Sequence, residues 1–201
     1  NTKASIKEKK LFLEGKSSIY DKNKQEITLT GDTIFIDKLK NLKINAEEAI
    51  YDKKIDTLIT KGITKINIED KYEILSKNMY YDRTSQNIFS DNETTINDSL
   101  GNIYNIQDTF KFNLTTEVIS SKKVNILDNK NNLYFFENSK IDLINKEIVG
   151  KELKIEFVDN FFGNSNNDPV LKGKSAISNN KETKIYKTVF TTCNTENKIC
   201  P

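Results

Sequence analysis

Histidine is absent from this chain of 201 residues. Without it the usual proton carrier near neutral pH and the commonest metal-binding side chain are both missing, so the sequence is expected to be no enzyme and to need no cofactor or metal. Arg83 is its only arginine, which leaves little scope for bidentate phosphate recognition. Cations and anions nearly balance, 31 Lys and Arg against 29 Asp and Glu for a net charge of +2. They are interspersed along the chain, so the basic footprint of a nucleic-acid binder is missing and no nucleic-acid partner is expected. No apolar run approaches the ~20 residues of a membrane-spanning helix, and Asn1-Thr2-Lys3-Ala4 carries no signal-peptide core, so the start reads as mature or trimmed. Prolines number two, Pro169 and Pro201, and strand pairing is unobstructed until near the end.

What the chain does have is a recurring step. Ile19-Tyr20-Asp21, Ile50-Tyr51-Asp52, Tyr80-Tyr81-Asp82, Phe112-Asn113 and Ile141-Asp142 follow one another at intervals of 29 to 31 residues, each heading a polar turn and a short alternating stretch. Self-similarity at a fixed period means one small unit stacked on its neighbours, because a lone unit cannot bury its apolar face. An elongated molecule is expected. The aspartate in each step suits a turn, since its carboxylate accepts backbone N–H groups, and tyrosine suits a half-buried strand end. Paired acids such as Glu47-Glu48 have no histidine, phosphate loop or nucleophile beside them and read as a solvated face.

Period-two alternation marks most of the chain as strand, clearest in 26–30, 33–37, 41–46, 64–69, 124–126 and 153–157. About four short strands per repeat are expected, a dozen or more in all. Residues 46–51 have some helical character, but Ile50, Tyr51 and the flanking strands favour a bulged strand. Gly31 and Gly62 are expected at turns or bulges, and 160–169, rich in Asn, Ser and Gly, as a mobile loop. Two architectures accept this pattern: a parallel β-helix, which as a surface polysaccharide binder is one functional alternative, and an all-β, elongated, twisted open jelly roll, a taco-like antiparallel sandwich. Turn signals between successive alternating stretches favour the jelly roll. Alternation then nominates Ile27, Leu29, Ile34, Ile36, Leu42, Ile44, Leu58, Ile66, Ile68, Ile103, Phe110, Phe112, Val124, Ile126, Leu153, Ile155 and Phe157 as inward-facing, on the floor or the lining of whatever lies between the sheets.

A family resemblance enters at Leu13-Glu14-Gly15-Lys16, Ile27-Thr28-Leu29-Thr30-Gly31-Asp32 and Leu42-Lys43-Ile44-Asn45-Ala46-Glu47-Glu48-Ala49-Ile50-Tyr51-Asp52. These stretches resemble the repeat of the OstA-type lipopolysaccharide-transport domains, most clearly over 13–69 and more weakly to 157. The closing Thr188-Val189-Phe190-Thr191-Thr192-Cys193 with Cys200-Pro201 is similar to the place where the periplasmic domain of the LptD branch passes into its barrel. The resemblance implies a domain over 1–190 and a cysteine-containing linker over 191–201 leading to an absent C-terminal β-barrel. It also implies an apolar groove for lipopolysaccharide acyl chains lined by the inward residues above, a place on the periplasmic face of the outer membrane, and the lipoprotein LptE as partner of the barrel portion. An LptA-like bridge would dock by edge-strand pairing near 4–13; a free-standing bridge protein of the LptA kind is the alternative within the family. Cys193 and Cys200 are disulfide candidates, either with each other, since six residues between them suffice for a small ring, or with the barrel as the family pattern implies.

Overall fold

Alternating apolar residues turn into strands almost everywhere. A computed structural model describes residues 1–157, 169–179 and 181–192 of the protein. In order the strands are β1 (Thr2–Ile6), β2 (Leu11–Gly15), β3 (Ser17–Asp21), β4 (Glu26–Asp37), β5 (Leu42–Asp52), β6 (Thr57–Ile68), β7 (Tyr72–Lys77), β8 (Tyr80–Asp82), β9 (Asn87–Ser90), β10 (Thr94–Asp98), β11 (Ile103–Ile106), β12 (Phe110–Asn113), β13 (Val118–Leu127), β14 (Leu133–Asp142), β15 (Glu147–Glu156), β16 (Val170–Ser178) and β17 (Thr183–Thr191). One 3-10 turn, Lys7–Lys9, joins β1 to β2. The cysteines and most of the expected 160–169 loop lie outside the described residues.

Every pairing is antiparallel, which rules out the parallel β-helix. The ladder advances from β1 and β2 through β4, β5 and β6, then through the short pairs β7 with β8, β10 with β9 and β11 with β12, and on through β13 to β17. Long strands run across two half-sheets; in the middle of the chain the same path is broken into two short strands. The expected four short strands per repeat are therefore often two strands of ten to twelve residues. At about 4.8 Å per strand the stack is roughly 50 Å long. The two half-sheets fold face to face along a crease, the open jelly roll read from the alternation.

The crease has a chemical signature. Register shifts between Thr30 and Thr33 on β4 and between Ala46 and Glu48 on β5. The left-handed backbone needed there falls on Gly31 and Gly62, with φ of 75° and 77°, so both glycines are bulge residues. Residues 46–51 are strand, but the bulges expected there lie on its neighbours, Gly31 and Asp32 of β4 and Gly62 and Ile63 of β6 standing opposite Glu47. Small hydroxyl side chains fill the fold line: Thr33 Oγ1 donates to Ala46 O at 2.9 Å, Thr64 Oγ1 to Thr60 Oγ1 at 2.8 Å, Thr94 Oγ1 to Ser76 Oγ at 2.8 Å, and Ser121 meets Ser139 at 2.8 Å. A buried polar group without a partner is costly, and among the described residues no buried side-chain nitrogen or oxygen lacks one.

The recurring Tyr-Asp steps are hairpin turns. Backbone N–H groups of Asn23 and Lys24 donate to Asp21 Oδ1, those of Lys54 and Ile55 to Asp52, those of Thr84 and Ser85 to Asp82, and those of Thr115 and Thr116 to Asn113. Four residues after each opener the chain takes a positive φ, at Gln25, Asp56, Gln86, Glu117 and Lys146. Each turn also bonds to the one before it: the N–H of Lys53 donates to Gln25 O, Arg83 to Asp56 O, Leu114 to Gln86 O and Leu143 to Glu117 O. A ladder of stacked turns closes one long margin of the molecule.

Three inward assignments are corrected. On β4 the buried face belongs to Thr33, Phe35 and Asp37, so Ile34 and Ile36 face outward. Phe35 offers more apolar area than either isoleucine, and Asp37 tolerates burial because Arg83 meets it. On β11 Tyr104 and Ile106 are inward, which puts Ile103 on the outer face. The edge near 4–13 also narrows. The turn at Lys7–Lys9 folds β1 back onto β2, and β2 is paired on both sides, leaving β1 and β3 as the free edge there.

Candidate functional site

The interior is filled at one end and open at the other. Between the half-sheets of the N-terminal part, the rings of Phe35, Tyr51 and Tyr81 pack at centroid distances of 5.7 and 6.4 Å. Above them Arg83 bridges Asp37 and Asp56, each at 2.7 Å, and Lys9 approaches Asp56 at 3.2 Å. Tyr51 donates its hydroxyl hydrogen to Asp56, and Tyr81 to Asp37 at 3.1 Å. Burial would raise the Asp56 carboxyl, but the hydrogen bonds from Tyr51 and Arg83 outweigh it and hold it below its ordinary value. Burial first, then the neighbouring carboxylates, push Tyr51 and Tyr81 well above the usual phenol range. Phe35, Tyr51 and Tyr81 are among the largest fully buried side chains of the described residues.

Toward the C-terminal strands the half-sheets part around a cleft of about 670 Å³, within the roughly 300–1,000 Å³ span of ligand pockets. Its floor is apolar: Ile126, Phe136, Leu153, Ile155 and Leu171. Ile141, Leu143, Ile148, Ala176 and Ile185 form the facing wall, and Ile185 carries the lining onto the last strand, β17. Phe136 and Ile185 pack in turn against Gly150 and Gly173, where an added side chain would collide with them.

The mouth is polar and repeats. Tyr104 donates to Asp98 Oδ2 at 3.1 Å, with Asn102 Nδ2 on the same oxygen at 2.8 Å. Tyr134 donates to Asp128 Oδ2 at 3.0 Å, with Asn132 Nδ2 at 2.9 Å. Tyr72 meets Glu117 at 2.6 Å, and Lys71 reaches the same carboxylate at 3.0 Å. Burial and the Asp128 charge push the Tyr134 hydroxyl up to about 12. Asp128, despite burial, is held low by Asn132 and by backbone N–H groups. Burial first, then neighbouring carboxylates, raise Tyr72 and Tyr104 as well, so the tyrosines of the mouth stay neutral around pH 7. A narrower recess of about 130 Å³ shares Tyr72 and Glu117 with the cleft and ends on Ile68 and Phe112.

Of the residues nominated from alternation, Ile126, Leu153, Ile155 and Phe157 line the cleft, and Ile68 and Phe112 the recess. Leu29, Leu42, Ile44, Leu58, Ile66, Phe110 and Val124 are buried in the core cluster, with Ile27 half-buried against it. Ile34, Ile36 and Ile103 point away. The reading passed over Phe136, Leu171, Ala176 and Ile185, and the tyrosines of the mouth. The tyrosines had a signal: Asp98, Asn102 and Tyr104 recur as Asp128, Asn132 and Tyr134, each 30 residues on.

No family model matches this chain, and no curated protein matches it. Among solved structures it is similar to LptH from Pseudomonas aeruginosa, described as the LptA homologous periplasmic component of the conserved lipopolysaccharide transport device. The TM-score is 0.50 at 12% identity, over 59% of this chain and 86% of that one. A likeness at that identity establishes architecture: an antiparallel jelly roll of the LptA-like kind. Within that fold this chain has a blind N-terminal interior and an open C-terminal one.

Proposed function

We propose that this chain shelters the acyl chains of lipopolysaccharide in its C-terminal cleft, as the periplasmic domain of an LptD-type assembly protein. The observation that carries the reading is the apolar cleft itself, walled by both half-sheets and running out to the last described strand, β17. Exposing one twelve-carbon tail to water costs about 10 kcal/mol at ~0.8 kcal/mol per CH₂, so transfer between membranes needs such a shelter. The polar mouth lets sugars stay in water while tails lie on the aliphatic floor. Its tyrosines stay protonated near neutral pH, which suits a carrier better than acid-base catalysis. In this reading the β1 and β3 edge joins an LptA-like bridge upstream, and the chain passes beyond β17 to the outer-membrane barrel with LptE downstream. A free-standing bridge of the LptA kind, which shares the fold, is the second reading.

Binding of lipopolysaccharide to the full chain, followed by displacement of a fluorescent acyl probe, tests the site. Leu171→Trp, which fills the cleft, is expected to weaken binding at least ten-fold, whereas Leu75→Trp on the outer face leaves it unchanged. Equal affinities in both variants would remove the cleft from the mechanism.

A further inference from the structure

One half-sheet gathers lysines and aliphatic side chains on its outer surface over β12 to β17. Successive cross-strand neighbours there are Lys111, Ser120, Lys140, Val149, Ile177 and Lys184 in one row. A second row, beside the crease, holds Lys122, Asn138, Lys151, Ser175 and Tyr186. Val149, Ile177 and Tyr186 are large apolar side chains left exposed, Tyr186 at 50%. The rows span β12 to β17, roughly 25 Å at the usual strand spacing. A shallow depression lined by Lys111, Lys122, Val149 and Lys151 lies on this surface.

Several outward lysines are neutralised: Lys3 meets Glu14, Lys16 Asp32, Lys61 Glu48, Lys65 Glu73 and Lys184 Glu182. Lys43, Lys77 and Lys172, which make no ion pair among the described residues, stand apart on the other half-sheet. On the surface of the two rows Lys111, Lys122, Lys140 and Lys151 make no ion pair among the described residues, although Glu137 and Glu152 are exposed on the same strands. A chain whose net charge is only +2 has gathered unpaired cations on one surface. Lysines that guard a sheet against unwanted pairing belong on the edge strand. These extend inward to β13 and β14, which are paired on both sides and need no guard.

We infer that this lysine and aliphatic surface seats the domain on an anionic lipid bilayer. Unpaired lysines match the charge of acidic headgroups, and Val149, Ile177 and Tyr186 supply the apolar contacts that a second, non-electrostatic anchor requires. The inference is independent of what fills the cleft, because none of the four unpaired lysines lines it.

Co-sedimentation of the full chain with vesicles tests it. Partition onto phosphatidylglycerol-containing vesicles is expected at low salt, with release at high salt and little binding to phosphatidylcholine alone. Each lysine at an anionic surface contributes about five-fold, so Lys122→Gln, Lys140→Gln and Lys151→Gln together should lower partition about a hundred-fold. The matched set Lys43→Gln, Lys61→Gln and Lys65→Gln, equal in charge change, should have far less effect. Leu171→Trp should partition as the parent does, which separates this surface from lipid capture in the cleft. No partition onto anionic vesicles, equal losses in the two lysine sets, or displacement by millimolar inorganic phosphate would each overturn the inference.

Discussion

Arg83 shows how much one side chain can decide. Its side chain is 9% exposed and that of Asp37 1%, so the bridge to Asp37 and Asp56 sits where charge is expensive. Such a bridge adds little net stability over an apolar replacement, but removing one partner leaves a buried charge uncompensated, at about 3–5 kcal/mol. Arg83→Leu is therefore expected to lower the unfolding free energy by about that much. The acid side follows from Asp56. Its carboxyl lies below its ordinary value when folded, so the stability it contributes is complete above that ordinary value and is lost as pH falls through the folded one. Urea midpoints measured from neutral pH down to roughly pH 2 should fall more steeply for the parent than for Asp56→Asn. Parallel curves would show that the ion cluster does not bear on acid unfolding.

At the level of strands and turns, the recurring step was legible because its cause is local. An aspartate that accepts two N–H groups from the next few residues does so whatever the rest of the fold does, and Asp52 and Asp82 behave alike. Asp52→Ala should cost about 1 kcal/mol in urea unfolding, the usual net worth of a lost hydrogen bond. Asp52→Asn should recover most of it, as Asn113 serves in the equivalent turn; no recovery would contradict the turn role. Facing was less legible. Ile34 and Ile36 alternate as cleanly as a buried pair, and only Arg83, 46 residues from Asp37, makes the opposite face the inward one. Ile103 loses its place to Tyr104, whose ring is buried while its hydroxyl reaches Asp98. On β5 the buried face passes from Leu42, Ile44 and Ala46 to Ala49 and Tyr51 across the bulge, a change of parity that no uniform alternation foresees. Whether an inward residue meets another or meets open space depends on the gap between half-sheets. That gap is filled by Phe35, Tyr51 and Tyr81 at one end and stays open among Ile126, Leu153, Leu171 and Ile185 at the other, all long-range relations.

The whole molecule is a polarised sandwich. Its N-terminal interior is plugged by rings and an ion cluster, its C-terminal interior opens into the cleft, and unpaired lysines gather on the outside of the open end. An acyl ligand in this account lies only over the last strands, along β11 to β17, and not along a trough running the full length. Photo-crosslinking side chains placed singly along the chain, with lipopolysaccharide present, test this most directly. The account predicts strong capture at Ile155, Leu171 and Ile185, weak capture at Ile44 and Ile66 inside the filled part, and none at Ile36 on the outer face. Equal capture at Ile44 and Ile155, or capture confined to outward positions, would contradict it.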